Sequence, residues 1–386
     1  MIVFLGCLFF CPNSAAAQAA STPPAAVAQK PTPSASQPQR SGEIVIEVRS
    51  FPDAAHYTSL RIVSDKWTKA WTKVNQSSSI EAAPAPQFSD VTVTVQRGNL
   101  EKTYIADDEG HLYDPASGGR LKMPDSLAQK LSVCIRYARS RHYGKLVPWD
   151  EARYEIPNRA IVTVLDLRTG LTFRAQRRAG SSHADVQPLT SQDTKIMKQI
   201  YNGQWSWDRR AVLVRASREW IAASMHGMPH GGDGIPGNDF NGHFCIHFLG
   251  STTHRSRNLD AAHQAMVYRA AGQLGGYLQS RNPWELAELY VVAVNQQDSA
   301  LLDMLLTTAQ GTVPHPFADE MDRLDMVKLV SRPVPTDITQ ALDAEVRLQV
   351  AVYYRDFRRP TKYTLQIACS RTAPDEPWQI RRISAQ

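Results

Sequence analysis

One stretch of this chain restricts its fold more than any other: a glycine-rich interruption between two apolar runs. Glu219-Trp220-Ile221-Ala222-Ala223-Ser224-Met225 and Cys245-Ile246-His247-Phe248 both read as strands, and glycines stand between them at 227, 231, 232, 234 and 237. Five glycines in eleven positions remove helical and strand preference together. The segment is therefore expected to be a long surface loop hung between two ordered strands, a usual place for functional groups on a rigid scaffold. It is also rich in histidine. Of the eleven histidines in the chain, seven (His183, His226, His230, His243, His247, His254 and His263) fall within 81 residues.

The surroundings of this loop are strand-heavy. Ala160–Leu167, a turn at Arg168-Thr169-Gly170, and Leu171–Ala175 form a hairpin pattern. Ser191–Tyr201 reads as a short capped helix, Ala211–Val214 as a strand, and Asp260 as the cap of a helix running from Ala261 to about Gln279. These elements define a block at 151–281. A block at 43–150 has strand signals at Glu43–Val48 and Val91–Val95, and a helical stripe of Leu127, Leu131, Cys134 and Ile135. It reads as an accessory α+β domain. From 282 to 386 the helical stretches Pro283–Asn295 and Ser299–Ala309 precede the strictly alternating Ala344–Val352, then Tyr363–Ala368 and Trp378–Ile383. This order implies helices packed on a curved antiparallel sheet, and it resembles the nuclear-transport-factor-2-like superfold, which hosts unrelated activities. The expected class is thus multidomain α+β, in keeping with 386 residues, which exceed a single core.

The start of the chain reads as an export signal. Ile2–Phe10 is an apolar run of h-region length followed by Ala17-Gln18-Ala19, so residues 1–19 are expected to be removed. Phe10 before Cys11 makes a poor lipobox, and the run is too short to span a bilayer. Residues 20–42, rich in Ala, Pro, Ser and Gln, read as a linker. The expected location is secreted, cell-wall or periplasmic. Lys and Arg total 43 against 37 Asp and Glu, a net +6, which suits an anionic partner such as cell wall. No basic run is dense enough to point to nucleic acid. Cleavage leaves Cys134, Cys245 and Cys369, an odd number with at least one unpaired or intermolecular thiol. Cys134 and Cys369 sit in apolar segments and are expected to be inert.

Two chemistries can use the loop. A thiol at Cys245 can act as nucleophile if an imidazole takes its proton, and His226 can return in space as that base. Alternatively, His183, Asp185, His243 and His247 can hold Zn. On a strand, positions 243, 245 and 247 share a face, so Cys245 lies between two histidines under either reading. Trp205, Trp207 and Arg210 in Gly203–Arg210 suggest an aromatic, basic surface suited to sugar rings or carboxylates, with core packing of one tryptophan as the alternative.

The spacing resembles the catalytic domain of L,D-transpeptidases, in which a histidine is followed after fourteen to seventeen residues by Ser/Thr-His-Gly-Cys. Here His226 is followed by fifteen residues and then Gly242-His243-Phe244-Cys245, with aliphatic Ile246 next. The resemblance covers about 155–275. It implies a strand-rich β-sandwich and an exported enzyme acting on peptidoglycan stem peptides through a thioester, as transpeptidase or carboxypeptidase. No cofactor is expected on this reading. Cys245 is implied as nucleophile, His226 as general base and His243 as an orienting group, while His247, His230, Trp207, Arg210 and Ser251 are expected to contact substrate. Three positions depart from the pattern: Gly242 replaces Ser/Thr, Phe244 replaces glycine, and His247 stands where arginine is usual. A zinc-dependent wall hydrolase and a non-catalytic wall-binding protein are the alternative functions.

Overall fold

The computed structural model describes residues 42–76, 80–81, 86, 88–97, 100–232, 234–253, 257–308, 310–331 and 337–386. The expected signal segment 1–19, the linker up to residue 41, and His254 lie outside the described residues. The chain is mixed α/β and strand-rich, in two compact units. No helix among the described residues is long and apolar enough to cross a membrane.

The first unit takes residues up to 47, 59–83 and 91–138. Its sheet comprises β1 (Glu43–Val48), β2 (Thr58–Val63), β3 (Ile80–Glu81), β4 (Val91–Arg97), β5 (Leu100–Ala106), β6 (Leu112–Tyr113) and β7 (Arg120–Leu121), in the order β2-β1-β4-β5-β6-β7-β3. Period-two burial fixes the inner face: Ile44 and Ile46 in β1, and Val91, Val93 and Val95 in β4, are buried. Helices α1 (Asp65–Gln76) and α2 (Asp125–His142) complete the order. Leu127, Leu131, Ile135 and Ala138 make the buried stripe of α2.

The second unit takes residues 48–58, 84–90 and 139–386, so the blocks 151–281 and 282–386 belong to one unit. It opens with α3 (Trp149–Glu155). Then come β8 (Ile161–Asp166), β9 (Thr172–Ala179), β10 (Ala184–Pro188), α4 (Ser191–Ile200), β11 (Arg210–Arg215), β12 (Ile221–Met225) and β13 (Phe244–His247). Their six strands close into a barrel in the order β10-β13-β12-β11-β8-β9. This corrects the expected β-sandwich. The strand that sequence reading overlooked, β10, pairs with β9 on one side and β13 on the other, so no open edge remains. Val162, Val164, Phe173, Ala184, Val186, Val212, Val214, Ala223, Phe244 and Ile246 form the apolar core of this block.

The expected single helix 261–279 is two helices, α5 (Ala261–Ala270) and α6 (Leu274–Gln279). Gly272, between them, has φ +67° and sits so close to the Tyr143 ring that a Cβ would lie 2.4 Å from it, so only glycine fits this break. α5 packs Met266 and Ala270 on Leu213 and Ala222. Helices α7 (Pro283–Asn295) and α8 (Ser299–Leu306), the short pair β14 (Thr307–Thr308) and β15 (Gly311–Thr312), and a 3-10 turn at Ala318–Arg323 follow. Last comes a four-stranded antiparallel sheet of β16 (Leu324–Ser331), β17 (Asp343–Tyr354), β18 (Thr361–Ser370) and β19 (Gln379–Ala385), in that order. Leu289, Tyr290 and Ala293 of α7 share one core with Val346, Leu348, Val350 and Ile367 of the sheet. The helix-on-sheet layout expected at 282–386 is present.

Candidate active site

Alternation along three neighbouring strands builds the site. Ala184 and Val186, Phe244 and Ile246, and Ala223 and Met225 all belong to the barrel core. The residues between them, Asp185, Cys245, His247 and Ser224, therefore point to the outer face. Register then sets neighbours side by side: Asp185 is opposite Cys245, and Ser224 is opposite His247. The register of β10 on β9 shifts between Asp185 and Val186, an irregularity of the kind that re-aims a side chain. This outer face is itself buried, and Cys245 is only 4% exposed.

The glycine-rich loop is pinned at its neck. His230 and His243 exchange both backbone hydrogen bonds, N–H to O, at 3.0 and 2.8 Å, so the excursion proper runs from Gly231 to Gly242. Both ends require glycine. A Cβ on Gly231 would lie 2.4 Å from His243 Cε1, and one on Gly242 would lie 2.4 Å from the His230 carbonyl oxygen, each at positive φ. The departure from Ser/Thr at position 242 thus has a local steric cause. Phe244 has one too: its ring is buried between those of Phe173 and Phe240, at centroid distances of 6.1 and 5.9 Å.

The neck delivers His230 to the thiol. Its Nε2 lies 3.4 Å from Cys245 Sγ, and its Nδ1 lies 3.0 Å from the Met228 carbonyl. A carbonyl only accepts, so Nδ1 carries the hydrogen, and in the neutral ring the lone pair on Nε2 faces the sulfur. His226 has the opposite tautomer. Met228 N–H donates to its Nδ1 at 3.3 Å, which leaves the ring hydrogen on Nε2. The geometry therefore gives the position beside the thiol to His230, while His226 stands next to it with ring centroids 5.2 Å apart. Burial pulls the His226 ring well below the usual imidazole range. Burial, then the adjacent Asp185 carboxylate, push the Cys245 thiol well above its ordinary value. At rest the sulfur therefore keeps its proton.

Behind the thiol stands a second set. Asp185 Oδ1 is 3.8 Å from Sγ, 3.3 Å from His183 Nε2 and 3.7 Å from His243 Nε2. His183 Nδ1 donates to the Thr252 carbonyl at 2.7 Å. The His247 ring is stacked between His183 and His263, at 4.4 and 3.8 Å. His263 is held in turn by Ser224 Oγ at 2.9 Å from its Nδ1, and by Asp260, which caps α5 by accepting from the His263 N–H. Among the described residues, two groups of donors at this site could hold a metal, and both contain the cysteine: His226, His230 and Cys245, and His183, Asp185 and Cys245. In each group the ligand atoms lie within 4.8 Å of one another.

Several residues expected at the site have other duties. Arg210 forms a two-pronged bond to Asp166, at 2.9 and 2.8 Å, and Asp166 is fully buried; its charge is committed to the β8–β11 pair. Ser251 Oγ accepts from Phe248 N–H at 2.9 Å and is buried in that turn. His247, inside the ring stack, is buried as well. Trp207, 48% exposed, lies over both His226 and His230, with centroids at 4.7 and 5.4 Å, while Trp205 packs edge-on against Phe240. The cation on this side is Arg209, which sequence reading passed over; it bonds Asp260 at 2.7 Å. Cys134, Cys245 and Cys369 are free thiols, and burial raises Cys134 and Cys369, the latter to about 12.

No known protein-family description matches this chain, and neither does any curated protein.

Proposed function

We propose that this chain is a cysteine-dependent acyltransferase or peptidase of the cell wall. In this reading Cys245 is the nucleophile, and His230 rather than His226 is its base. The observation that carries the reading is the 3.4 Å contact between Cys245 Sγ and His230 Nε2, with the ring's tautomer fixed by the Met228 carbonyl. This is a nucleophile–base pair with a third group orienting the base. Because the thiol is raised, its proton moves to Nε2 as sulfur attacks the substrate carbonyl carbon. The imidazolium then returns that proton to the departing amine and leaves a thioester. An incoming amine or water loses its proton to the same nitrogen and releases the acyl group. The Nε2–H of His226 is a donor on the same side for charge developing on the carbonyl oxygen.

The substrate class, peptidoglycan stem peptides, is what the resemblance of His226…Gly242-His243-Phe244-Cys245 to L,D-transpeptidases implies, together with the expected export. The exposed Trp207 ring over the two imidazoles is suited to stack on a sugar or peptide face. Incubation with a stem peptide or a carbapenem, followed by intact mass and peptide mapping, tests the reading. A covalent adduct on Cys245 is expected. Full activity on muropeptides in a Cys245→Ala variant would refute it.

A further inference from the structure

The contact between His183 and Asp185 is unusual in its chemistry. Thr252 O, 2.7 Å from His183 Nδ1, can only accept, so Nδ1 carries the hydrogen. In the neutral ring the Nε2 lone pair therefore faces the Asp185 carboxylate at 3.3 Å. Two acceptors facing each other in a buried place repel unless a positive charge lies between them, either a second ring proton or a metal ion. The same arrangement is the usual outer support of a metal-bound histidine: one ring nitrogen donates to a backbone carbonyl, and the other is aimed at the ion.

Distances fit as well. Ligand atoms about 2.0–2.3 Å from a tetrahedral Zn ion are roughly 3.3–3.8 Å apart. The structure has 3.3 Å from His183 Nε2 to Asp185 Oδ1, and 3.8 Å from Asp185 Oδ1 to Cys245 Sγ. The third pair lies within 4.8 Å. Strand pairing places all three before any ion arrives, because Asp185 is the partner of Cys245 in the β10–β13 ladder. His226 is a poorer candidate ligand, since Met228 N–H already occupies the lone pair on its Nδ1.

We propose that His183 Nε2, Asp185 Oδ1 and Cys245 Sγ form a site for one borderline-soft divalent cation of the Zn type, and that this ion caps the nucleophile. The site differs from a His183, Asp185, His243 and His247 set in taking the thiol as its ligand. Its role as a cap rests on Cys245 being the nucleophile. Binding forms a metal–sulfur bond, breaks the S–H bond and releases the proton to solvent; a chelator reverses it. An imidazole, a carboxylate and a thiolate select Zn or Co over Mg or Ca.

The test uses the chain stripped of metal and titrated with Co ions. A near-ultraviolet sulfur-to-cobalt band is expected to grow to about one ion per chain with release of about one proton, and to disappear when Zn is added. His183→Gln and Asp185→Asn should abolish it, as should alkylation of Cys245 in the unsubstituted chain, an arm that does not depend on a variant folding. His226→Gln should retain it. No band, or a band that survives both His183→Gln and Asp185→Asn, overturns the site. If the band fails while metal-free chain still forms a carbapenem adduct on Cys245, the ion site falls and the acyl-transfer reading stands. A band without any adduct leaves the ion site standing and removes the enzyme.

Discussion

Replacing His230 and His226 in turn by glutamine separates the base from its neighbour. Among the described residues the hydrogen-bond partners of Cys245 Sγ are His230 Nε2 at 3.4 Å and Asp185 Oδ1 at 3.8 Å. Of these, His230 offers a ring nitrogen oriented by a carbonyl. Loss of a positioned general base costs about 10²–10⁴ in rate, which is roughly 3–5 kcal/mol of barrier. His226 is held by one long 3.3 Å contact from Met228 N–H and can contribute as a neutral donor. Its loss should cost about 1 kcal/mol, a roughly fivefold effect. The assay is the rate at which Cys245 in metal-free chain is acylated by a carbapenem, or alkylated by iodoacetamide, at neutral pH and followed by intact mass. His230→Gln should be slower than His226→Gln by at least about tenfold. An equal or larger loss in His226→Gln would refute the assignment, because the nearer ring would then not be the proton acceptor.

Gly242→Ala puts a methyl 2.4 Å from the His230 carbonyl oxygen at φ +95°. It should cost about 1–2 kcal/mol in backbone strain alone, lower the unfolding midpoint and slow Cys245 acylation; unchanged values would mean the neck is not closed. Arg210→Met leaves the buried Asp166 carboxylate without its guanidinium. It should cost about 3–5 kcal/mol in a urea titration, with the acylation rate of the folded fraction unaltered. His142 is buried against Ser50 and Thr58, and burial lowers it to about 3. A lowered imidazole adds stability above its unfolded value near 6.5, and this is lost as pH falls. Between pH 6.5 and 4.5 the chain should lose about 2 kcal/mol through this ring. The loss should vanish in His142→Gln, as read from urea midpoints at both pH values; an unchanged slope would show that the ring is not the source.

Much of the fold could be read from period and caps. The hairpin 160–175, the strand 211–214, the helix 283–295 and the alternating strand near 344–352 all correspond to observed elements, because each has a continuous apolar pattern and a turn or cap at its end. Thr190 and Asp193 form the capping box of α4, so the cap lies one residue before the expected start at Ser191. What escaped reading is as physical. β10 is Ala-Asp-Val-Gln-Pro, five residues with little strand preference that are held only by partners on both sides. Missing it concealed both the closure of the barrel and the reason Asp185 meets Cys245.

The site followed the same division. Sequence spacing brought His226, His230, His243, His183, Asp185 and Cys245 under suspicion, and the structure gathers them on one outer face. Their roles were not legible, because two backbone carbonyls assign them. Met228 O makes Nε2 of His230 a lone pair toward sulfur, and Thr252 O does the same for His183 toward Asp185. A carbonyl leaves no side-chain signature at its position, so no pattern of residue types could rank His230 above His226. Arg210 and Arg209 make the same point with charge. Adjacent on the chain, they diverge, one to Asp166 and the other to the α5 cap Asp260. Arg210 opens β11 while Arg209 lies just before it, and which side faces the thiol is fixed only when the barrel closes.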